Sequence, residues 1–489
     1  MDCSGAAAAA GQGAYDALVR AMRLPAGQVD SAALLDTAAA ALEICLAEFG
    51  TRGSAAVERM VALDDLSQAH LRGLLSRYLK CEDHAGAEHA AWRAGACFLH
   101  ALQQSYRVAL EQGGSSGLQR GVRLVLMVRR LQAAADLLKW RALAYYRPEP
   151  DFWEEVIRIG RMAWTEGVSN RQVRPRRGRS EHTSIDRELA RIVALGCAGL
   201  DQLRPETIAI ADRVLKYAAP VLRLSRSGGD GARFVLPLAP ASAPRRAPEH
   251  GDAGIDGIYL WPGEAAAALE ELASVVAKGL VPAVLSSGPE AREQVLTVAH
   301  HLVGLWSGPR RVRRHRRHPI EGRLRALLGF QQLHSNLISD SDAKRLAEGW
   351  GMLDASRNGI GLRVPAADCD RIVVGDMLGV RAEDGKSWHV GIVRRIVRSE
   401  CGDGIVGVET IAKSVSVASI DNGRTLTDAL VCDPVHRGSA VRVAQVATTD
   451  DGGDDGRVFL SQDGRICKLR RLATLLRANG YELTNYHVL

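Results

Sequence analysis

The residues best able to do chemistry in this 489-residue chain lie in Pro-Arg-Arg-Val-Arg-Arg-His-Arg-Arg-His, positions 309–318. Six arginines crowd positions 310–317. A guanidinium is planar, permanently charged and forked, so it pairs two-pronged with a phosphate or with the O6/N7 edge of guanine, and it stacks on flat rings. Several of them on one flexible segment can wrap a small ligand that carries both phosphates and purines. The same composition also suits a solvated basic loop or a nonspecific polyanion contact, and the run alone does not choose between them. A second stretch, Asp354-Ala355-Ser356-Arg357-Asn358-Gly359, follows between apolar runs. Asp and Ser side chains stabilise turns by bonding to nearby backbone, and glycine permits positive φ or a close approach. An Asp carboxylate can also accept from the N1–H and N2–H edge of guanine. Taken by itself, this is a common turn sequence.

Order and context join the two stretches. Arg313-x-x-x-Arg317, with Arg310-x-x-x-Arg314 as an alternative frame, precedes Asp354-x-Ser356-x-x-Gly359. Pro-Ile-Glu-Gly-Arg-Leu-Arg-Ala-Leu-Leu-Gly at 319–329 reads as a first strand, and Val374-Gly375-Asp376-Met377-Leu378-Gly379-Val380 as a strand after a Gly-Asp turn. Gly391-Ile392-Val393-Arg394-Arg395 and Gly407-Val408-Glu409 complete the series. In this order the features of residues 310–412 resemble the PilZ domain family. The resemblance implies a small antiparallel barrel and cyclic di-GMP as ligand. It implies phosphate and guanine contacts for Arg313 and Arg317 with Arg314 assisting, and a guanine held by Asp354, Ser356 and Gly359. The segment from Gln331 to Gly349 inserts between the two halves of the motif and is partly helical in pattern.

The elements that must position these residues follow from periodicity. Residues 1–30 are small and Gly/Ala-rich, with an apolar patch from Tyr15 to Met22, and read as a flexible arm with room for one helix. From 31 to 218 apolar residues recur at helical spacing in separate stretches, beginning with 33–46 and 55–79, which predicts an α-helical domain. The basic stretch Arg171–His182 reads as a loop. From 219 to 308 short extended runs precede two helices, Glu264–Ala277 and Glu290–Trp306, and predict a small α+β connector. Ser307-Gly308-Pro309 should end the second helix, so that the arginine run leaves a rigid element directly. From 309 to 489 short strands separated by turns predict a PilZ-like antiparallel barrel with a C-terminal β extension or companion unit. The fold class is therefore α+β and multidomain.

Composition bounds the function. Hydrophobic content of 46% and charged content of 24% are those of a globular protein, and the net charge of +7 is modest. Much of it is local: positions 310–325 hold eight arginines against one acid, Glu321, which points to an anionic partner at one place. Nine scattered cysteines with no Cys-x-x-Cys read as reduced thiols of a cytoplasmic protein. The N-terminus lacks the basic flank and apolar core of a signal peptide, and no apolar stretch is long enough to span a membrane. Cys81, His84 and His89 have metal-ligand types but no fourth partner nearby, so no metal site is expected. Phosphate-loop, dinucleotide and nucleophile-elbow motifs are missing, and the chain reads as neither an enzyme nor a cofactor carrier.

These features predict a bacterial cyclic di-GMP receptor whose helical half contacts a protein partner, with surface motility, pili or biofilm exopolysaccharide as outputs implied by the resemblance. Two rivals use the same residues. One is a ligand-free interaction scaffold with a degenerate barrel. The other is a basic nucleic-acid binder, against which stand the few aromatics of the barrel half available for base stacking.

Overall fold

The computed structural model describes residues 3–80, 87–112, 119–176, 181–248, 255–286, 288–308, 315–339, 347–385, 387–447, 457–478 and 480–489. The chain divides into two compact units, one formed by residues up to Leu200 and from Pro205 to Arg310, the other by Asp201–Arg204 and everything from Arg311 onward.

The first unit is built on helices α1 (Cys3–Met22), α2 (Ser31–Lys80), α3 (Ala87–Gln112), α4 (Arg120–Leu143), α5 (Phe152–Thr165), α6 (Ile185–Gly196) and α7 (Pro205–Ala218). The stretch expected as a flexible arm is largely helix α1, packed on α2 with Leu18 and Met22 buried. Helix α2 starts where the Asp30 carboxylate accepts from the Ala32 and Ala33 amides at 3.0 and 3.4 Å. It then runs unbroken through Gly50 and Gly53, where the sequence suggests two separate helical stretches. One face of it, including Leu35, Ala38, Leu42, Leu63 and Leu74, is buried. Two charge networks lie inside this unit. In one, Asp64 of α2 receives Arg129 of α4 at 2.8 Å, Arg176 at 2.9 Å and the Tyr106 hydroxyl at 2.6 Å. Arg176 thereby anchors the basic stretch after α5. In the other, Asp212 of α7 receives Arg191 of α6 at 2.6 Å, Lys216 at 3.1 Å and Lys139 of α4 at 3.4 Å.

Strands β1 (Arg223–Ser225), β2 (Phe234–Pro237), β3 (Arg245–Arg246) and β4 (Gly257–Trp261) form an antiparallel sheet in the order β1-β4-β2-β3. It is followed by α8 (Gly263–Ala277) and α9 (Ala291–Trp306). The stretch expected as a connector belongs to the helical unit, since β1 and β4 lie on α6 and α9 on α7. Helix α9 ends at Ser307, whose amide still bonds the Val303 carbonyl at 2.8 Å. Gly308 follows because any side chain there would strike the Gly304 carbonyl.

The second unit holds two closed six-stranded antiparallel barrels. The first contains β5 (His318–Leu328), β6 (Ala347–Ser356), β7 (Gly359–Val364), β8 (Met377–Ala382), β9 (His389–Arg398) and β10 (Gly404–Ala412), in the order β10-β7-β6-β5-β8-β9. Helix α10 (Phe330–Ser339) follows β5 and the single-turn α11 (Ala366–Cys369) follows β7. The second barrel contains β11 (Ser416–Asp421), β12 (Leu426–Val431), β13 (Ala440–Val446), β14 (Arg457–Gln462), β15 (Arg465–Ala478) and β16 (Tyr481–Val488), in the order β11-β12-β13-β16-β15-β14. What reads in the sequence as a β extension or a companion unit is thus a barrel closed on itself. The two barrels share an apolar core. Leu327, Phe330, Leu333 and Trp388 of the first pack with Leu430, Ala444, Tyr481 and Leu483 of the second. The Tyr481 hydroxyl donates to the Gly375 carbonyl at 2.7 Å. Helix α10 touches strands of both barrels, so the helical part of the 331–349 insertion is their common plug.

Candidate functional site

The β6–β7 hairpin turns through two residues, Arg357 and Asn358, with Ser356 paired to Gly359 in register. The Asn358 carbonyl accepts from the Thr410 amide at 3.1 Å, which ties the turn to β10. On the other side of the hairpin β5 pairs with β6 through His318↔Ala355 and Pro319↔Asp354. That register delivers the last arginine of the run to the hairpin. Arg317 Nη1 donates to Asp354 Oδ1 at 2.6 Å, and the two side chains are 31% and 32% exposed. Neither is sealed in the barrel, so both keep faces open to a ligand.

Ser356 and Gly359 complete the local structure. The Ser356 hydroxyl donates to the Gly359 carbonyl at 3.3 Å and closes the turn, as its type predicts. Tight space rather than conformation favours Gly359, whose φ is not in the left-handed region. A Cβ there would lie 3.1 Å from the Val408 carbonyl oxygen and 3.7 Å from both Arg317 Nη2 and Ser356 Oγ. Asp354 does not bond the turn backbone; its Oδ1 is spent on Arg317.

The structure therefore brings together Arg317, Asp354, Ser356 and Gly359. Arg313 and Arg314 lie outside the described residues, as does Arg310 of the alternative frame. Gly361 belongs to the same place. It pairs with Asp354 across β6–β7 and with Gly407 across β7–β10. A glycine inside a strand, two positions after another, is the signal that could have singled it out, because such glycines mark close approaches.

Other candidates do not form sites. Cys81 and His84 lie outside the described residues, and His89 sits against the Trp92 ring with centroids 5.3 Å apart. Among the described residues no group of three His, Cys, Asp or Glu could hold a metal ion, and no helix is long and apolar enough to cross a membrane. Trp140, Tyr145 and Trp153 are buried in the helical unit.

A family model for the middle PilZ domain of the cyclic-di-GMP receptor FimW matches residues 339–416. This region of the chain belongs to the PilZ domain family. The PilZ match contains Asp354, Ser356, Gly359 and Gly361, with Arg317 and β5 just upstream completing the barrel. A second family model, for the N-terminal domain of the cyclic-di-GMP receptor FimW, matches residues 18–228 and so spans α2 through α7. The second barrel beside the PilZ barrel falls outside both matches, apart from its first residue. No curated protein matches the chain.

Proposed function

We propose that this protein is a cytoplasmic bacterial receptor for cyclic di-GMP, which it binds between the arginine run and the Asp354–Gly359 hairpin of its PilZ barrel. One observation carries the reading: Arg317 is paired with Asp354 at 2.6 Å on one partly open hairpin, in a domain of the kind found in a cyclic-di-GMP receptor. A dinucleotide with two phosphates and two guanines needs forked cations for the first and hydrogen-bond acceptors for the second. Arg317, with Arg313 and Arg314, meets the phosphates and the O6/N7 edges. Asp354 fixes Arg317 and keeps Oδ2 for the N–H edge of a guanine, while Ser356 and Gly359 hold the hairpin against it.

Binding draws the arginine run onto the barrel and so alters how the chain leaves α9. The ligand biases the protein toward one arrangement only as far as it contacts that arrangement better than the other. The helical half then presents this state to a protein partner, with motility, pili or biofilm matrix as the output. Both matching family models describe a receptor and neither describes an enzyme, which supports a role without catalysis.

The test is isothermal titration of the full chain with cyclic di-GMP, with cyclic di-AMP and mixed-sequence DNA run in parallel. Saturable binding of cyclic di-GMP alone is expected. Binding of none of the three favours a scaffold with a degenerate barrel. Steeply salt-dependent binding of DNA favours a nucleic-acid binder.

A further inference from the structure

We propose that Gly361, outside the Asp-x-Ser-x-x-Gly motif, is a positioning residue of the nucleotide site: its missing side chain is what lets Asp354 hold the Arg317 guanidinium against the barrel. The inference rests on the reading of the site given above. Asp354 and Gly361 are direct partners across β6–β7, so their outward faces share one spot on the sheet. A Cβ on Gly361 would lie 2.6 Å from Asp354 Oδ1, 3.0 Å from Asp354 Cγ and 3.3 Å from Arg317 Nη1. The first distance is shorter than carbon and oxygen tolerate without displacement. The carboxylate cannot keep its place and carry a neighbour with a methyl group.

Backbone conformation does not explain this glycine. Its φ lies outside the left-handed region, and a glycine inside a strand loses stability by comparison with a residue that packs. What it supplies is room. Residues two apart on a strand face the same way, and Gly359 and Gly361 both face Arg317. Nη2 lies 3.7 Å from a Cβ built on Gly359, and Nη1 lies 3.3 Å from one built on Gly361. The guanidinium is thus laid along a floor of two glycines and pinned at one end by Asp354. Gly351, on β6, marks the contrast: a Cβ there meets only Arg363 Cβ, at an ordinary 3.7 Å.

Two consequences follow. Asp354 acts on the ligand chiefly through Arg317, by fixing the direction of its donors before the ligand arrives. Any side chain at 361, however small, should release the guanidinium while leaving the arginine present.

The experiment compares wild type, Gly361→Ala, Gly351→Ala and Asp354→Asn by titration with cyclic di-GMP and by NMR of the arginine side chains. The Arg317 signal is assigned as the one lost in Arg317→Lys. Gly361→Ala should weaken binding about tenfold or more, the worth of one charge-assisted hydrogen bond. It should also move the Arg317 signal to the solvent-exposed position seen in Asp354→Asn. Gly351→Ala should change neither. Should Gly361→Ala lower the melting temperature, adding Asp354→Ala should restore the melt but not the affinity, since it removes the clash and the anchor together. An unshifted Arg317 signal, affinity within twofold of wild type, or a melt that Asp354→Ala does not restore would each overturn the inference. Absence of cyclic di-GMP binding by wild type would overturn the receptor reading instead. The NMR comparison would still decide whether Gly361 positions Arg317.

Discussion

Two charge clusters, one in each unit, are built in opposite ways. In the helical unit Asp64 is 1% exposed and Arg129 2%, while Asp212 is 3% exposed and Arg191 5%. Every one of these groups is held by partners from other helices or loops. In the PilZ barrel Arg317, just before β5, and Asp354 of the β6–β7 hairpin stand nearly one-third exposed, with one contact between them and open faces beyond it. A buried charge must be fully paired, since leaving water is costly. A network closed in this way has nothing to offer a ligand. A partly exposed pair gains little stability, but its unused donors and acceptors can be redirected. The helical network is architecture, and the hairpin pair is a site.

The largest effect should come from breaking the closed network. Asp212→Ala leaves Arg191, Lys139 and Lys216 facing one another with Asp136 as their one remaining shared carboxylate, and should cost about 3–5 kcal/mol of stability. Denaturant unfolding followed by helical circular dichroism measures it. A midpoint unchanged from wild type would erase the distinction between the two regions.

Asp354→Ala should do the reverse. Cyclic di-GMP affinity should fall about 10- to 100-fold, the range for loss of a charge-assisted contact. Unfolding free energy should change by less than about 1 kcal/mol, as for other partly exposed pairs. Titration and unfolding of the same preparation check both halves of the statement.

Acid sharpens the comparison further. Burial pushes the Asp136 carboxyl up, but Lys139, Lys216 and Arg191 outweigh it and hold the group below its usual 3.8, at about 2. Asp212 is likewise held well below 3.8, by Arg191, Lys216 and Lys139 against the upward push of burial. A folded value below the unfolded one contributes stability that is complete above the unfolded value and lost as pH falls through the folded one. The helical unit should therefore keep its melting temperature down to about pH 5 and lose it progressively below that, as pH falls to and through about 2, where Asp136 is half protonated. A helical melt that stays flat through that window would contradict the assigned role of the network.

The smallest effect belongs to a rim pair within the same helical unit. Arg158 and Glu111 meet at 3.0 Å with exposures of 42% and 49%. Glu111→Ala should change stability by no more than about 1 kcal/mol. A larger loss in urea unfolding would mean that exposure does not separate structural pairs from dispensable ones.

Much of this arrangement can be read in the sequence. Periods of three to four residues announce the helical half, and short alternating or apolar runs bounded by turns announce β7, β8, β9, β10 and β13. The hairpin is legible because Asp, Ser and Gly each have a local reason to be there. Non-local features are not. The charge networks join α2, α3, α4, α6 and α7 and the stretch around Arg176, and nothing in the spacing of Asp64 and Arg176 pairs them. Gly50 and Gly53 separate the two helical stretches of the sequence, yet the helix runs through both. Strands β11 (SVASID) and β12 (LTDALV) mix polar and apolar residues without clean alternation. Part of β12 faces the shared core and part the second barrel's interior, so the closure of that barrel is hidden. Gly361 is only half legible for a related reason: its place two positions after Gly359 flags a close approach, but what approaches is the side chain across the strand pair.

The most direct test of the account is a titration of Arg317→Ala with cyclic di-GMP beside the wild-type chain, both confirmed folded by their melting curves. The account predicts saturable binding by the wild type and none by the variant at the same concentrations. Saturable binding by Arg317→Ala at wild-type affinity would contradict it, even with cyclic di-GMP as the ligand, because the paired guanidinium on the hairpin would then not be the grip.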